Sequence, residues 1–408
     1  MLKKSALFLI TLLSFSFLTG CNGNATKKEE TQETTTSTLK SDSSKTTETK
    51  KIAEATEKEY DKKFNEISRV IAGLPVDSSS KYYNITQTVS WKRFAKTMDS
   101  SWAKLEKDRL GKVRTWRETE LAGVNDGRDL FYPFSGPDFL HAYSFFNKSK
   151  NMYMFGLEGA GSLPKLDKKS EKDMVNYYAS VQKYLAEIMS KSYFITKKML
   201  ANLYRVNGMT PIICIFMVRT GNTVTSIQPM NLDSTGKMVP FDTTGLKGAK
   251  KSDFHGVKID YLDSETKELK SVYFYSGDMA DGTVTTKSSL YKYLNNIPEN
   301  CNGMLKSASY LLHYGTFNQV RNAMMNRCQN ILQDDTGIAY RFYKNDKKHK
   351  WDFNLYGVYF KPIGDFKGVD QPDLEKAYKD TSKVKPLPFG IGYHWMNRKD
   401  SWFLVTKK

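Results

Sequence analysis

Apolar residues recur at helical spacing in two early stretches. In Ala55–Leu74 they are Tyr60, Phe64, Ile67, Val70 and Ile71, and Gly73-Leu74-Pro75 follows as a helix stop. In Trp91–Leu121 they are Trp91, Phe94, Ala95, Met98, Trp102, Leu105 and Leu110, which predicts a helix or helix pair broken near Gly111. The pattern then changes period. Asp129–Ser135 and Met152–Leu157 read as strands, with a helix over Pro137–Phe146 between them. Ser170-Glu171-Lys172-Asp173 has the form of a capping box, and the helix it opens carries Met174, Tyr178, Val181, Leu185 and Ile188 on one face, extending toward Leu200. Pro211–Val218, PIICIFMV, is a continuous apolar run of strand length and predicts a central strand buried on both faces. Gly221-Asn222 predicts a hairpin into Thr223–Met230, and Val257–Leu262 with Leu269–Tyr275 a second hairpin. Later segments predict helices at Ser288–Ile297, Phe317–Leu332 and Asp373–Tyr378. They predict strands at Ile338–Tyr343, Asp352–Phe360, Gly390–Trp395 and Trp402–Val405.

Helices come first and a mixture of strands and helices follows, so the expected class is α+β: amino-terminal helices, then a mixed sheet with packed helices. The expected globular body is residues 56–408, with a subdomain division near 200–210.

Residues ahead of this body have a different character. Met1–Cys21 reads MLKKSALFLITLLSFSFLTGC: two lysines, an apolar run from Ala6 to Leu18 too short to cross a bilayer, then small residues and a cysteine. Leu18-Thr19-Gly20-Cys21 resembles the lipobox of bacterial lipoproteins. That resemblance implies a signal peptide over residues 1–20, removed to leave a diacylated, palmitate-bearing Cys21 as the first mature residue. Each buried acyl methylene contributes roughly 0.8 kcal/mol, and more than one chain makes anchoring stable. Asn22, rather than Asp, follows the cysteine, which in a diderm implies export to the outer membrane. From Asn22 to about Ala55 the chain is Thr, Ser, Lys and Glu with almost no apolar residue, and predicts a disordered tether.

Charge adds one constraint. The formal net charge is +18, and between Asn22 and Glu59 seven lysines are matched by eight acids, so the excess lies in the body. A basic body favours anionic envelope components as partners, beside the membrane reached through the lipid anchor. No nucleic-acid recognition motif is present, so nucleic acid is not expected.

Three cysteines remain after Cys21. Cys214 lies in the apolar run and reads as core. Cys301 and Cys328 can pair in an oxidising compartment. No CxxC or matched histidine spacing supports a metal, and no cofactor loop is found, so neither is expected.

Candidate chemistry is sparse. Asp335-Thr336-Gly337 matches the aspartic-protease triplet but occurs once, and Ser289-Leu290-Tyr291-Lys292 lacks the companion motifs of penicillin-binding proteins. Asp278 and Asp281-Gly282 form an acidic turn short of a calcium loop. The best candidate is the junction Phe131–Phe146, FYPFSGPDFLHAYSFF. Pro137 suits a first helical turn, Asp138 complements the positive helix end, and His141 lies one turn on. Ser135, Asp138 and His141, with Glu158 from the next strand end, are the expected site residues.

The segments LFYPFSGPDFLHAYSFF, YMFGLEGAGSLP, LKSASYLLH, and ILQDDTGIAYRFY with WDFNLYGVYFKPI resemble a group of uncharacterised bacterial exported proteins and lipoproteins. The resemblance implies one coherent fold over most of Gly73–Phe366 and assigns no catalytic residue. Two functional classes therefore stand: a non-catalytic binding or structural lipoprotein of the cell envelope, and an envelope hydrolase built around Ser135, Asp138 and His141.

Overall fold

The computed structural model describes residues 60–192, 205–242, 254–362, 368–392 and 400–408. The expected signal peptide, Cys21 and the whole of the expected tether lie outside these residues.

Strands β1 (Leu130–Tyr132), β2 (Asn151–Gly156), β3 (Thr223–Leu232), β4 (Met238–Pro240), β5 (Gly256–Leu262), β6 (Leu269–Ser276), β7 (Cys301–Leu305), β8 (Cys328–Asp334), β9 (Trp351–Gly357), β10 (Val384–Lys385) and β11 (Ser401–Lys407) form one mixed sheet. Its order is β10-β9-β11-β8-β7-β1-β2-β6-β5-β3-β4. The centre, β8-β7-β1-β2-β6, is parallel throughout. The flanks are antiparallel: β5 and β3 on one side, and β11 between β8 and β9 on the other. The class is α+β. β1 and β2, from before residues 200–210, sit between β7 and β6 from after them, so one sheet draws on both sides of that stretch.

Both faces of the parallel centre are covered, as a parallel sheet requires. Helices α1 (Lys62–Ile71), α2 (Val89–Leu105), α3 (Gly111–Glu120), α4 (Phe139–Phe146), α5 (Glu171–Lys191) and α6 (Thr210–Arg219) pack with Leu130, Tyr132, Met152 and Met154 in one core. Helices α7 (Ser289–Asn296), α8 (Asn318–Arg327), α9 (Tyr340–Lys344) and α10 (Pro372–Tyr378) pack with Phe131, Phe155, Ile331 and Phe403 in the other. Neighbouring residues of one strand feed opposite cores, the period-two rule applied to a sheet buried on both sides.

Several expectations hold locally. Ser170 and Asp173 close the capping box of α5. The expected break near Gly111 is a π-helical turn over Glu106–Leu110 joining α2 to α3. β5 and β6 pair antiparallel through the Asp263–Lys267 turn.

Four assignments are corrected. Residues 210–219 form helix α6, not a strand. Pro211 occupies its first turn, and every residue from Thr210 to Val218 is buried. A helix covered on all sides carries no polar face, so its periodicity is invisible and β-branched Ile212, Ile213, Ile215 and Val218 mimic a strand. For the same reason Gly221-Asn222 ends a helix rather than linking two strands. Phe317–Leu332 divides into α8 and β8 at Cys328. Ile338–Tyr343 holds the start of α9 rather than a strand. The expected Gly390–Trp395 strand lies mostly outside the described residues.

Helix α6 is docked by glycine contacts. Met209 and Thr210 donate backbone N–H groups to the carbonyls of Gly159 and Ala160, and Ser162 donates to Asn207. Gly161 has φ +64°, and a Cβ there would lie 1.8 Å from the Asn207 carbonyl oxygen. Gly161→Ala is expected to lower unfolding stability by about 3 kcal/mol, from left-handed strain and steric displacement together. Denaturant unfolding of the variant against the parent measures this.

Candidate functional site

In chain order the five parallel strands run β1, β2, β6, β7, β8, but in space they run β8-β7-β1-β2-β6. The order reverses at β1. The connections that leave the adjacent strands β1 and β7 run in opposite directions, to β2 and to β8, the arrangement at which open parallel sheets place ligands outside their carboxyl ends. Sequence segments that look unrelated meet at this edge: Ser135–Asp138 after β1, Glu158 after β2, Lys306-Ser307 after β7, and Asp334–Thr336 at the end of β8. β11 runs the other way, so Asp400, just before it, reaches the same edge.

Asp138 is the centre of this group. It is the N-cap of α4, accepting the backbone N–H of His141 at 3.3 Å. Its Oδ1 also lies 2.8 Å from His141 Nδ1. Its Oδ2 lies 2.6 Å from Lys306 Nζ and accepts the Tyr132 hydroxyl at 3.1 Å. Lys306 Nζ donates further to the Ser192 carbonyl at 2.7 Å. Asp138, His141 and Lys306 are all buried. Burial by itself would raise the Asp138 carboxyl, but His141 and Lys306 outweigh that effect and hold it at about 2. Burial pulls His141 down, against Asp138, so the imidazole is neutral at pH 7. Burial pulls Lys306 down too, with Asp138 opposing it. His141 Nδ1 also lies 3.0 Å from Lys306 Nζ, so it meets both Asp138 and Lys306, and buried Nε2 has no hydrogen-bond partner among the described residues.

A second acidic group lies beside this one. Asp334 Oδ2 accepts the Ser307 backbone N–H at 3.0 Å, and Oδ1 accepts the Thr336 N–H at 3.0 Å. Burial, then the neighbouring Asp335, push the Asp334 carboxyl up to about 7, although the hydrogen bonds from Thr336 and Ser307 pull it down. Gly392 lies against it. Gly392 has φ +93°, and a Cβ there would lie 2.8 Å from Asp334 Oδ2 and 3.2 Å from Ser307 Oγ.

A cavity of about 280 Å³ adjoins the edge, lined among others by Lys104, Arg109, Lys112, Ser190 and Gly390. Two of these residues locate it. Ser190 is two residues from Ser192, which holds Lys306, and Gly390 is two residues from Gly392, which lies on Asp334 and Ser307. Arg109 donates to the carbonyls of Met189, at 3.3 Å, and Ser190, and its charge reaches both His141 and Lys306.

The expected site residues separate. Asp138 and His141 do meet, in a network completed by Lys306. Ser135 is corrected as a partner to them: its hydroxyl accepts Phe155 N–H and donates to Phe155 C=O, each at 3.0 Å, splicing the end of β1 to β2. Glu158 is buried, which raises its carboxyl. Its Oε2 and the Gly136 Cα are each 3.2 Å from the point where a Gly156 Cβ would stand, so it lies against the turn after β1. Cys301 and Cys328 begin paired strands with sulfurs 3.6 Å apart, as two thiols. Burial pushes the Cys214 thiol up to about 12, in keeping with a core role. Asp278 and Asp281 are used on local turns and on the first turn of α8. Among the described residues no group of three or more His, Cys, Asp or Glu side chains is placed to hold a metal.

Lys306, Ser307, Asp334, Asp400 and Arg109 are absent from the sequence-based expectation. β7 reads CNGML, and Asn302-Gly303 hides it as a strand, so nothing marks Lys306-Ser307 as a strand end. No protein-family model matches the chain, and no curated protein matches it.

Asp334 yields a pH test. Its carboxyl binds a proton more tightly folded than unfolded, so its contribution to stability is greatest near pH 4 and falls as pH rises through about 7. Asp334→Asn is expected to remove that decline, making the variant relatively more stable at pH 8 than at pH 4. Urea midpoints of both proteins across pH 4–9 measure it; parallel curves would remove Asp334 as the source.

Proposed function

We propose that this is a lipid-anchored cell-envelope protein whose folded body binds a small anionic ligand at the carboxyl edge of its parallel strands. The observation that carries the ligand site is the cavity walled by Lys104, Arg109 and Lys112, the charge of Arg109 reaching buried Lys306. Asp108, on the same wall, is engaged by Lys104 at 2.8 Å. Three cations against one carboxylate on this wall favour a phosphate or carboxylate group, with Arg109 positioned by the Met189 and Ser190 carbonyls. The size suits a metabolite-sized fragment rather than a polymer.

The anchor rests on the lipobox-like Leu18-Thr19-Gly20-Cys21 and the tether behind it. Together they place the body at a membrane surface while leaving it free to meet solutes. The nearby thiols of Cys301 and Cys328 are proposed to join as a disulfide in that oxidising setting; they are remote from the ligand edge, at the amino ends of β7 and β8.

Two measurements test this reading. Cys21→Ser is expected to shift the protein from the membrane to the soluble fraction; persistence with membranes would overturn the anchor. Inorganic phosphate is expected to raise the unfolding temperature by about 2–4 °C over chloride of equal ionic strength, and Lys112→Glu to abolish the rise. An equal rise in the variant would overturn the ligand site.

A further inference from the structure

We propose that Ser307 is a nucleophile for acyl transfer, with Asp334 as its base, acting on an anionic ester that enters through the cavity described above. The proposal rests on that ligand site for its substrate, and on three independent features for its chemistry.

The first is backbone geometry. Ser307 has φ +57° and ψ −83°, a conformation that an L-residue adopts at a cost of roughly 1–3 kcal/mol. It stands between the end of a central parallel strand, β7, and the 3-10 helix Ala308–His313. A sharp strand-to-helix turn of this kind lifts one side chain out of the sheet edge, which is how nucleophilic serines are presented in other α/β enzymes. The flanking positions here are Leu305 and Ser309 rather than glycines, so no glycine-flanked motif announces the turn. Glycine would relieve the strain at position 307, yet a serine occupies it.

The second is the state of its hydroxyl. Ser307 is 6% exposed, and its Oγ has no hydrogen-bond partner among the described residues. A buried hydroxyl normally finds one, because leaving it unmade costs about 1–3 kcal/mol. Ser135, Ser144 and Ser180 each find a backbone partner. Ser149, Ser192 and Ser401 also lack a partner among the described residues, and Ser192 has φ +66°; Ser307 differs from them in its ψ of −83° at a strand end and in the carboxylate beside it.

The third is the carboxylate beside it. Asp334 Oδ2 already receives the Ser307 N–H at 3.0 Å, and a single point on Gly392 lies 2.8 Å from that oxygen and 3.2 Å from Ser307 Oγ. Hydroxyl and carboxylate thus both border the space beside the Gly392 Cα, where a reacting carbonyl would have to enter. The adjacent Lys306 and His141 add a positive charge and an unpartnered ring nitrogen to the same edge.

The step balances with water alone. Ser307 Oγ bonds to the ester carbonyl carbon while its proton passes to the Asp334 carboxylate. The C–O bond to the alcohol breaks, and the alcohol leaves with that proton. Water, deprotonated by Asp334, then attacks the acyl-serine, releasing the carboxylic acid and regenerating the hydroxyl.

The test uses the lipidated full-length protein in detergent with a fluorophosphonate probe. Ser307 Oγ forms a bond to phosphorus as the P–F bond breaks, and fluoride and the serine proton are lost. Peptide mass spectrometry is expected to find the adduct on Ser307. Ser307→Ala and Ser307→Gly are expected to abolish it, and Asp334→Asn to slow it about 100-fold. Ser307→Gly relieves the backbone strain, so it should unfold no earlier than the parent; lost labelling is then not lost folding. Absence of an adduct on Ser307 in the parent would overturn the proposal, as would a labelling rate unchanged in Asp334→Asn. Failure of labelling with phosphate stabilisation intact would sink the nucleophile alone. Labelling that phosphate does not slow would leave the nucleophile standing and remove the cavity as its substrate site.

Discussion

The ion pair between Lys306 and Asp138 ties together the two strands at which the sheet reverses its order. One partner follows β7 and the other caps the helix after β1. Removing both charges from water is costly, and the pair is tolerable because every strong group in it is answered: Asp138 by Lys306, His141, Tyr132 and a backbone N–H, and Lys306 by a second acceptor on Ser192. Removing either partner alone would strand a charge in the core. The junction therefore accepts little variation in geometry, and the loops that meet there inherit its position.

That constraint links architecture to chemistry. A parallel centre exposes the ends of all its strands at one edge, and a reversal of order leaves a gap in the connections that would otherwise cover that edge. At the other edge a comparable pair, Lys270 with Asp263, lies 3.2 Å apart with Lys270 donating to the Asn147 carbonyl. It is buried under the β5–β6 turn and the end of α4. The carboxyl edge differs in having an adjoining basic cavity, a strained serine and a carboxyl titrating near 7. The same packing that makes the edge rigid is what keeps these groups in unfavourable states, because a well-packed surround is needed to hold them there.

Legibility in the sequence followed solvent contrast. Helices with one wet face were readable: α1, α2 and α5 each expose a polar side, and the Ser170–Asp173 box marked a helix start. The β5–β6 hairpin was readable because its residues alternate in burial. Elements buried on every side were not. α6 lost its period, and β7 and β8 lost theirs, because no face of theirs meets water. Within the site, Asp138 and His141 were readable as a local pair, since a capping residue and the residue one turn on share a helix face. Lys306 was not, because its partnership spans 165 positions to His141 and no local pattern encodes it.

The sequence by itself determined the α+β class and the basic character of the body. These follow from composition and from interactions between near neighbours in the chain. Only the tertiary structure decided that Ser135 is a splice between β1 and β2, that 210–219 is a helix, and that Lys306, Ser307 and Asp334 stand beside Asp138. The physical reason is that strand order is set by long-range pairing of segments buried on both faces. Such segments resemble one another in sequence, so which of them lie side by side is settled by the packing of the whole sheet.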